Sequence, residues 1–319
     1  MPIEQMVLAS KPHEAAGGAS PADLVEIGAS PDVPELARRA LPQVAASLAM
    51  LVCHRAGQRA VAAEGEWRAQ TAEGTDPPAE LLKTFPPVWR YVRLQEDLYA
   101  LLRARCLGRP AGQDRYRAMV QALVFSPEEL APCGGHPLAL ATSGVWFETP
   151  ADVGPTLRAL PVLPGAKPPS MDILAQAPYE AHLDELLAAT VRASGGQPSL
   201  LVVVPEAEET PALVAALLAV LPPSARANKT FCTQLADVQA ARAEDLDDIL
   251  ALSGEHADAA HLSRSGYEAS AGGPQFCVMD FEGDRFAQGP PPGAYARVLA
   301  AALRGGRPEG VHRVHEAIE

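Results

Sequence analysis

The sequence predicts a mixed α/β and α+β fold. An N-terminal mixed domain with an antiparallel meander would precede a C-terminal three-layer α/β domain with a mainly parallel sheet. Three observations support this. The 319 residues exceed the usual size of one domain. A proline-rich segment at 149–170 divides the chain. Beyond it, strand-like and helix-like stretches alternate, as in βαβ units. We therefore expect the following parts: domains at 1–150 and 171–310, a linker at 151–170 and a tail at 311–319.

The first domain opens with short apolar runs at 4–10 and 23–30, which predict two strands. Apolar residues at helical spacings then predict a helix around 41–52, with Pro42 in its first turn. Three further strand-like segments are joined by short loops, so an antiparallel meander is the simplest topology. These segments are 88–94, 98–107 and 116–125.

The second domain alternates more regularly. A helix is expected over 179–194, followed by the continuously apolar strand 199–205, which is typical of a strand buried on both faces. The next helix, 210–221, would have Thr210 as its cap and Pro211 in its first turn. The remaining predicted elements are strands at 229–234, 246–253 and 274–281 and a closing helix at 295–303.

The formal net charge of −13 argues against non-specific binding to nucleic acid or to an anionic membrane, because the long-range field would repel both. The stretch 212–221 is too short to span a bilayer, and the start lacks a signal-peptide pattern, so we expect a cytoplasmic protein. Five dispersed cysteines are expected to be reduced and buried. They are Cys53, Cys106, Cys133, Cys232 and Cys277.

Arginines gather around GRPAGQD, residues 108–114. This loop lacks the GK[ST] of a phosphate-binding loop, and it lies between strands rather than between a strand and a helix. If the loop closes a hairpin, the arginines crowd one end of it, where guanidinium groups could bind the carboxylates of an acidic partner or a nucleotide. The alternative is a solvated face whose charges pair with nearby acids. The arginines in question are Arg103, Arg105, Arg109, Arg115 and Arg117.

Other candidates for chemistry are weaker. Cys133 and His136 lie in a Gly-Gly turn whose spacing matches no thiol enzyme. The histidine pairs 256/261 and 312/315 lack the spacing of a zinc motif, so we expect no metal and no cofactor. Asp280 ends a predicted strand, where it would be either a carboxylate of an α/β site or a turn-forming residue.

Several motifs occur together and in order: MPIEQMVLAS, DRYRAMVQALVFSPEEL running into GGHPLAL, VAALLAVLPPSARANKTFCTQ, and VMDFEGD followed by AYARVLAAAL. Together they resemble the N-terminal and middle domains of the bacterial GTPase-associated protein family. The chain departs from the family pattern at Gln121, where the family usually has histidine, at Asp114-Arg115, which displaces the usual glycine, and at His136, which replaces asparagine.

The resemblance implies a non-enzymatic adaptor or regulator whose protein partner is a GTPase, or another component of a bacterial conflict or stress-response system, encoded nearby. The arginine cluster is then the first candidate for the contact. The alternative function is a nucleotide-sensing or hydrolytic α/β domain in residues 170–305, using Asp280 at the carboxyl ends of its strands.

Overall fold

The chain is a mixed α/β protein. The computed structural model describes residues 2–10, 23–70, 85–108, 116–161, 169–193, 199–234, 247–253, 276–286 and 292–317. The strands are β1 (Glu4–Ser10), β2 (Leu24–Ala29), β3 (Val88–Gln95), β4 (Leu98–Cys106), β5 (Ala118–Phe125), β6 (Ser199–Val204), β7 (Phe231–Cys232), β8 (Ile249–Ser253), β9 (Phe276–Asp280) and β10 (Arg285–Phe286). The helices are α1 (Glu35–Gln70), α2 (Leu183–Arg192), α3 (Thr210–Ala219), α4 (Pro223–Ala227), α5 (Ala294–Arg304) and α6 (Pro308–Glu316).

The residues group into two compact units, each drawn from separate stretches of the chain. Unit 1 consists of Met1–Val88, Ala100–Phe125 and Val145–Pro161. Unit 2 consists of Trp89–Tyr99, Ser126–Gly144 and Val162–Glu319. The linear domain limits expected from the sequence stay a prediction.

Unit 1 contains the strand order β4-β5-β1-β2. β1 is antiparallel to both of its neighbours, and Val7 lies opposite Gln121 of β5. α1 packs against β5 with a buried face that includes Leu41, Ala45 and Val52. The expected positions of β1 and β5 agree with the structure. Both strands are buried along their whole length, which favours a mainly apolar sequence.

Helix α1 differs from the sequence expectation. It runs for 36 residues rather than about a dozen, and Pro42 lies inside it rather than in its first turn, so that prediction is wrong. Its stretch Glu35–Val61 is long and apolar enough to cross a membrane by length and composition. Within that stretch Leu41, Ala45 and Val52 are buried and α1 packs against β5, whereas Met50 and Val61 are exposed.

The other face of the unit 1 sheet is covered by residues 145–161, which we call the strap. Small apolar side chains of the sheet, including Val7, Ala9 and Met119, form a buried cluster with Leu157 of the strap. The backbones approach closely at Gly28 of β2, where an added Cβ would lie 2.4 Å from the carbonyl oxygen of Gly154. Glycine is therefore required there for the strap to lie flat on the sheet.

Unit 2 contains the strand order β10-β9-β6-β8-β7-β3. The four inner strands β9, β6, β8 and β7 run parallel, whereas β10 and β3 pair antiparallel at the two sides. β6 is buried along its whole length, as the continuous apolar run predicts. A sheet with its central strands parallel was expected for this half of the chain and is confirmed.

Helix α3 packs against β8, and α5 packs against α2 and α6. α3 is buried on nearly all sides, as its apolar composition predicts. The predicted capping role of Thr210 is wrong. Glu209 precedes the helix and Thr210 is its first residue, where the Thr210 hydroxyl donates to the carbonyl of Ala207 at 2.7 Å.

Candidate functional site

Two arginines of the predicted cluster lie next to each other on one face of β4. Arg103 and Arg105 alternate with the buried side chains of Ala104 and Cys106, because successive side chains of a strand point to opposite faces. The strap brings Glu148 between the two guanidinium groups. Arg103 Nη1 donates to Glu148 Oε1 at 3.0 Å, and Arg105 Nη1 donates to Glu148 Oε2. The two arginines therefore share one carboxylate.

Both arginines are also bonded to the strap's backbone. Arg103 donates to the carbonyl of Phe147 at 3.5 Å, and Arg105 donates to the carbonyl of Glu148 at 3.0 Å. The Glu148 side chain is 60% exposed, whereas those of Arg103 and Arg105 are 12% and 24% exposed. Desolvation lowers the pKa of Arg103. Desolvation alone would raise the pKa of Glu148, but the hydrogen bonds and charges of the two arginines hold it below its ordinary value. One net positive charge remains.

The other arginines of the cluster are not part of this arrangement as far as the structure describes it. Arg117 comes just before β5, and its Nη2 donates to the carbonyl of Ser10 at 3.5 Å. Arg109 and Arg115 lie outside the described residues. The structure thus brings two of the five arginines together, and a role for the whole cluster stays a prediction.

Gln5 of β1 and Gln121 of β5 form a buried polar pair. Gln121 Nε2 donates to Gln5 Oε1 at 3.1 Å and to the carbonyl of Val145 at 3.0 Å, while the backbone N–H of Phe147 donates to Gln121 Oε1 at 2.9 Å. Gln5 Nε2 donates to the carbonyl of Arg158 at 2.7 Å. These bonds hold the strap on the sheet. The sequence signal for this role is a polar residue inside each mainly apolar strand.

The Gly-Gly-His turn packs against α3 and α4 within unit 2. His136 is completely buried, and its Nε2 lies 2.9 Å from the carbonyl oxygen of Ala215. Because a carbonyl only accepts, Nε2 carries the proton and donates. Burial lowers the pKa of His136 to about 4, so the ring is neutral at pH 7. Gly135 has φ of +70°, and an added Cβ would lie 2.3 Å from the carbonyl oxygen of Pro223. The turn is therefore built for close packing.

Arg226 closes the carboxyl end of α3. Its side chain is nearly fully buried, with 3% exposed. It donates to the carbonyls of Ala219 at 2.9 Å, Leu221 at 3.0 Å and Gly134 at 3.1 Å. The last carbonyls of a helix lack partners within the helix, and a cation there interacts favourably with the helix dipole. The Gly-Gly-His turn and the segment that contains Arg226, both part of the motifs that resemble the family, are thus in direct contact.

Asp280, the residue predicted for the alternative α/β site, lies at the carboxyl ends of the parallel strands. Asp280 ends β9 and is 1% exposed, and its Oδ1 accepts the backbone N–H of Gly283 at 2.8 Å. Ser253 ends β8 and is also buried, and Gln234 Nε2 donates to its hydroxyl at 3.2 Å. Asp280 therefore forms the turn after its strand, which is one of the two roles that its position suggested.

Cys133 does not have the environment of a thiol nucleophile. It is buried, and desolvation raises its pKa, whereas a nucleophilic cysteine needs a lowered pKa. Among the residues that the structure describes, no group of three or more His, Cys, Asp or Glu side chains is arranged to hold a metal ion. The pair His256 and His261 lies outside those residues.

Comparison with known proteins adds no further assignment. No protein-family model matches the chain, and no curated protein sequence matches it.

Proposed function

We propose that the chain is a non-enzymatic adaptor or regulatory subunit that binds a protein partner. The partner class is a GTPase or another component of a bacterial conflict or stress-response system encoded nearby. A cytoplasmic location and the layout of an N-terminal α+β domain and a C-terminal three-layer α/β domain belong to the same proposal. The proposal is based on the motifs that occur in order along the sequence, from the segment around Gln5 to the last predicted strand and helix.

The observation that carries the proposal is that three described residues suited to chemistry, Asp280, His136 and Cys133, are engaged in holding the fold. The carboxylate of Asp280 accepts a hydrogen bond from its own turn. The ring of His136 is buried and bonded to a helix carbonyl. Cys133 is buried, with a raised pKa. A catalytic acid, base or nucleophile instead directs its polar atom toward a substrate. These three residues are thus better explained by stability than by catalysis.

The shared carboxylate of Glu148 indicates how a partner could bind. Guanidinium groups recognise carboxylates through paired hydrogen bonds, and Arg103 and Arg105 already hold one such group. Glu148 is mostly exposed whereas the two arginines are mostly buried, so an acidic side chain of the partner that takes the place of Glu148 would keep both guanidinium groups paired. The proposed contact is therefore an acidic surface that exchanges with Glu148 on the two arginines.

The test is co-expression of the tagged chain with the products of its neighbouring genes, followed by affinity and size-exclusion chromatography. We expect a stable complex that survives removal of the tag. The double variant Arg103→Ala, Arg105→Ala should release the partner, whereas Glu148→Gln should strengthen the complex because a competing carboxylate is removed.

Arg39→Ala is the matched control. Arg39 is an exposed arginine of unit 1 that is paired with Glu35 on α1, so its loss removes one positive charge elsewhere on the same unit. It should leave the complex intact. Recovery of the wild-type chain alone and monomeric under gentle conditions would overturn the proposed function. A complex that is insensitive to the double variant would overturn only the proposed contact.

The alternative, a nucleotide-sensing or hydrolytic domain, is favoured by the parallel strands that end at Asp280 and Ser253, since open α/β sheets bind ligands at that edge. A thermal-shift screen of the wild-type chain and Asp280→Ala against nucleotides separates the two functions. A nucleotide-dependent shift that Asp280→Ala abolishes would support the alternative. An unchanged melting temperature with every nucleotide would count against it.

A further inference from the structure

We propose that unit 1 binds a short peptide segment of its partner in which a large apolar residue is followed directly by an acidic one. In the free protein, residues 145–148 of the strap occupy this site. The inference rests on the proposed function, because it uses the contact that the function places at Arg103 and Arg105. It adds the chemistry of the partner segment, which is bound through its backbone, its apolar side chain and its carboxylate.

The side chain of Gln121 binds the backbone of the strap through both of its polar atoms. Nε2 donates to the carbonyl of Val145 at 3.0 Å, and Oε1 accepts the N–H of Phe147 at 2.9 Å. The same Nε2 donates to Gln5 Oε1 at 3.1 Å, which orients the amide. Because every peptide carries these N–H and C=O groups, another segment can form the same bonds.

The two arginines bind the next part of the strap, at its backbone and at one side chain. Arg103 donates to the carbonyl of Phe147 at 3.5 Å, and Arg105 donates to the carbonyl of Glu148 at 3.0 Å. Both also donate to the Glu148 carboxylate. Of these hydrogen bonds, only those to the carboxylate depend on the identity of a side chain. The arginines therefore select an acidic residue at this position.

Phe147 supplies the apolar part of the pattern. Its side chain is half-buried, and it packs against the apolar cluster on the sheet, formed by Val7, Ala9, Met119 and Leu157. Burial of apolar surface is what this contact contributes. A partner residue that takes the place of Phe147 must therefore be apolar and large enough to keep the cluster covered.

The strap can leave this site at its front end while its later part stays attached. Glu148 and Thr149 are exposed, and residues 145–149 belong to no helix or strand, so opening here costs less than opening a core strand. Further along, the N–H of Leu157 donates to the carbonyl of Ala29 at 3.0 Å. A strap held in this way competes at a high effective concentration. A partner segment therefore binds more tightly when the strap's own contacts are weakened.

The test measures binding of a fluorescein-labelled peptide, GVWFETPA, to the full-length chain by fluorescence anisotropy. The peptide repeats residues 144–151 and includes the ring of Trp146, which is buried in the strap. The strap variant Phe147→Ala, Glu148→Gln should bind the peptide at least about tenfold more tightly than the wild type, the factor expected for one lost hydrogen-bonded contact to a charged group.

Two control peptides and two added substitutions test the recognition. Peptides carrying the change equivalent to Phe147→Ala or to Glu148→Gln should bind the strap variant at least about tenfold more weakly. Adding Arg103→Ala and Arg105→Ala to the strap variant should abolish binding, whereas adding Arg39→Ala should leave it unchanged, because Arg39 is paired with Glu35 on α1.

The wild-type chain decides the matter even if the strap variant fails to fold, since it should bind the peptide at high concentration and prefer the acidic peptide. No binding to the wild type, or equal binding of the peptide with the Glu148→Gln change, would overturn the inference. A wild-type dimer that the peptide dissociates would make a second copy the occupant and would overturn it as well. None of these results affects the proposed function if the complex with the neighbouring gene product still forms.

Discussion

Replacing the buried Arg226 by methionine tests how much its hydrogen bonds at the carboxyl end of α3 contribute to stability. Methionine keeps much of the apolar stem and removes the guanidinium group. The carbonyls of Ala219, Leu221 and Gly134 then lose a buried donor. An orphaned buried acceptor costs about 1 kcal/mol or more, so three of them cost about 3 kcal/mol. Because methionine also avoids burying a cation, the net loss in free energy of unfolding is about 2 to 3 kcal/mol.

The assay is thermal unfolding followed by circular dichroism. A loss of this size lowers the melting temperature by about 4 to 12 °C, at the 2 to 4 °C per kcal/mol typical of larger domains. Arg297→Met is the matched control, since Arg297 is exposed on α5 and exposed substitutions usually change stability by less than about 0.5 kcal/mol. If both variants melt within a degree of the wild type, the reasoning about Arg226 is refuted.

Three further predictions test the packing within each of the two units. Gly135→Ala should destabilise the chain by about 1 to 3 kcal/mol, because of its φ of +70° and the close oxygen of Pro223. Gly144→Ala is the control, because open space surrounds Gly144, and it should leave the stability unchanged. Equal melting temperatures for Gly135→Ala and Gly144→Ala would contradict the prediction. His136 is neutral when folded and has a pKa of about 4, while the unfolded ring takes up a proton below about pH 6.5. Stability should therefore fall by about 3 kcal/mol as the pH drops from 6.5 to 4, and urea titrations of His136→Asn should show a flatter pH profile than the wild type. Gln121→Leu removes one buried and two partly buried hydrogen bonds and should lower the free energy of unfolding by about 2 kcal/mol. An unchanged urea midpoint for Gln121→Leu would show that the attachment of the strap to the sheet does not depend on Gln121.

Strand positions were predictable where burial on both faces leaves a mainly apolar run. This holds for β1, β5 and β6. The length of α1 was not predictable, because its later turns lack a strong apolar stripe and Pro42 suggested a beginning rather than an interior position. Helices are stabilised mainly by tertiary packing, which local sequence spacing does not show, and α1 packs against β5.

The candidate sites were less predictable than the strands. Arg103 and Arg105 are two residues apart, so the alternation along β4 places them on one face. It contained no information about Glu148, which lies more than 40 positions away in the strap.

The sequence by itself determined the mixed α/β class, the central parallel strands and the faces on which charged residues lie. Each of these follows from the spacing of apolar and polar residues that are neighbours in the chain. Only the tertiary structure decided the partners of the polar groups: Gln121 with the strap, Arg226 with three carbonyls, and Asp280 with its own turn. A buried polar group must find a partner wherever the fold provides one, and that partner is set by long-range packing rather than by local spacing.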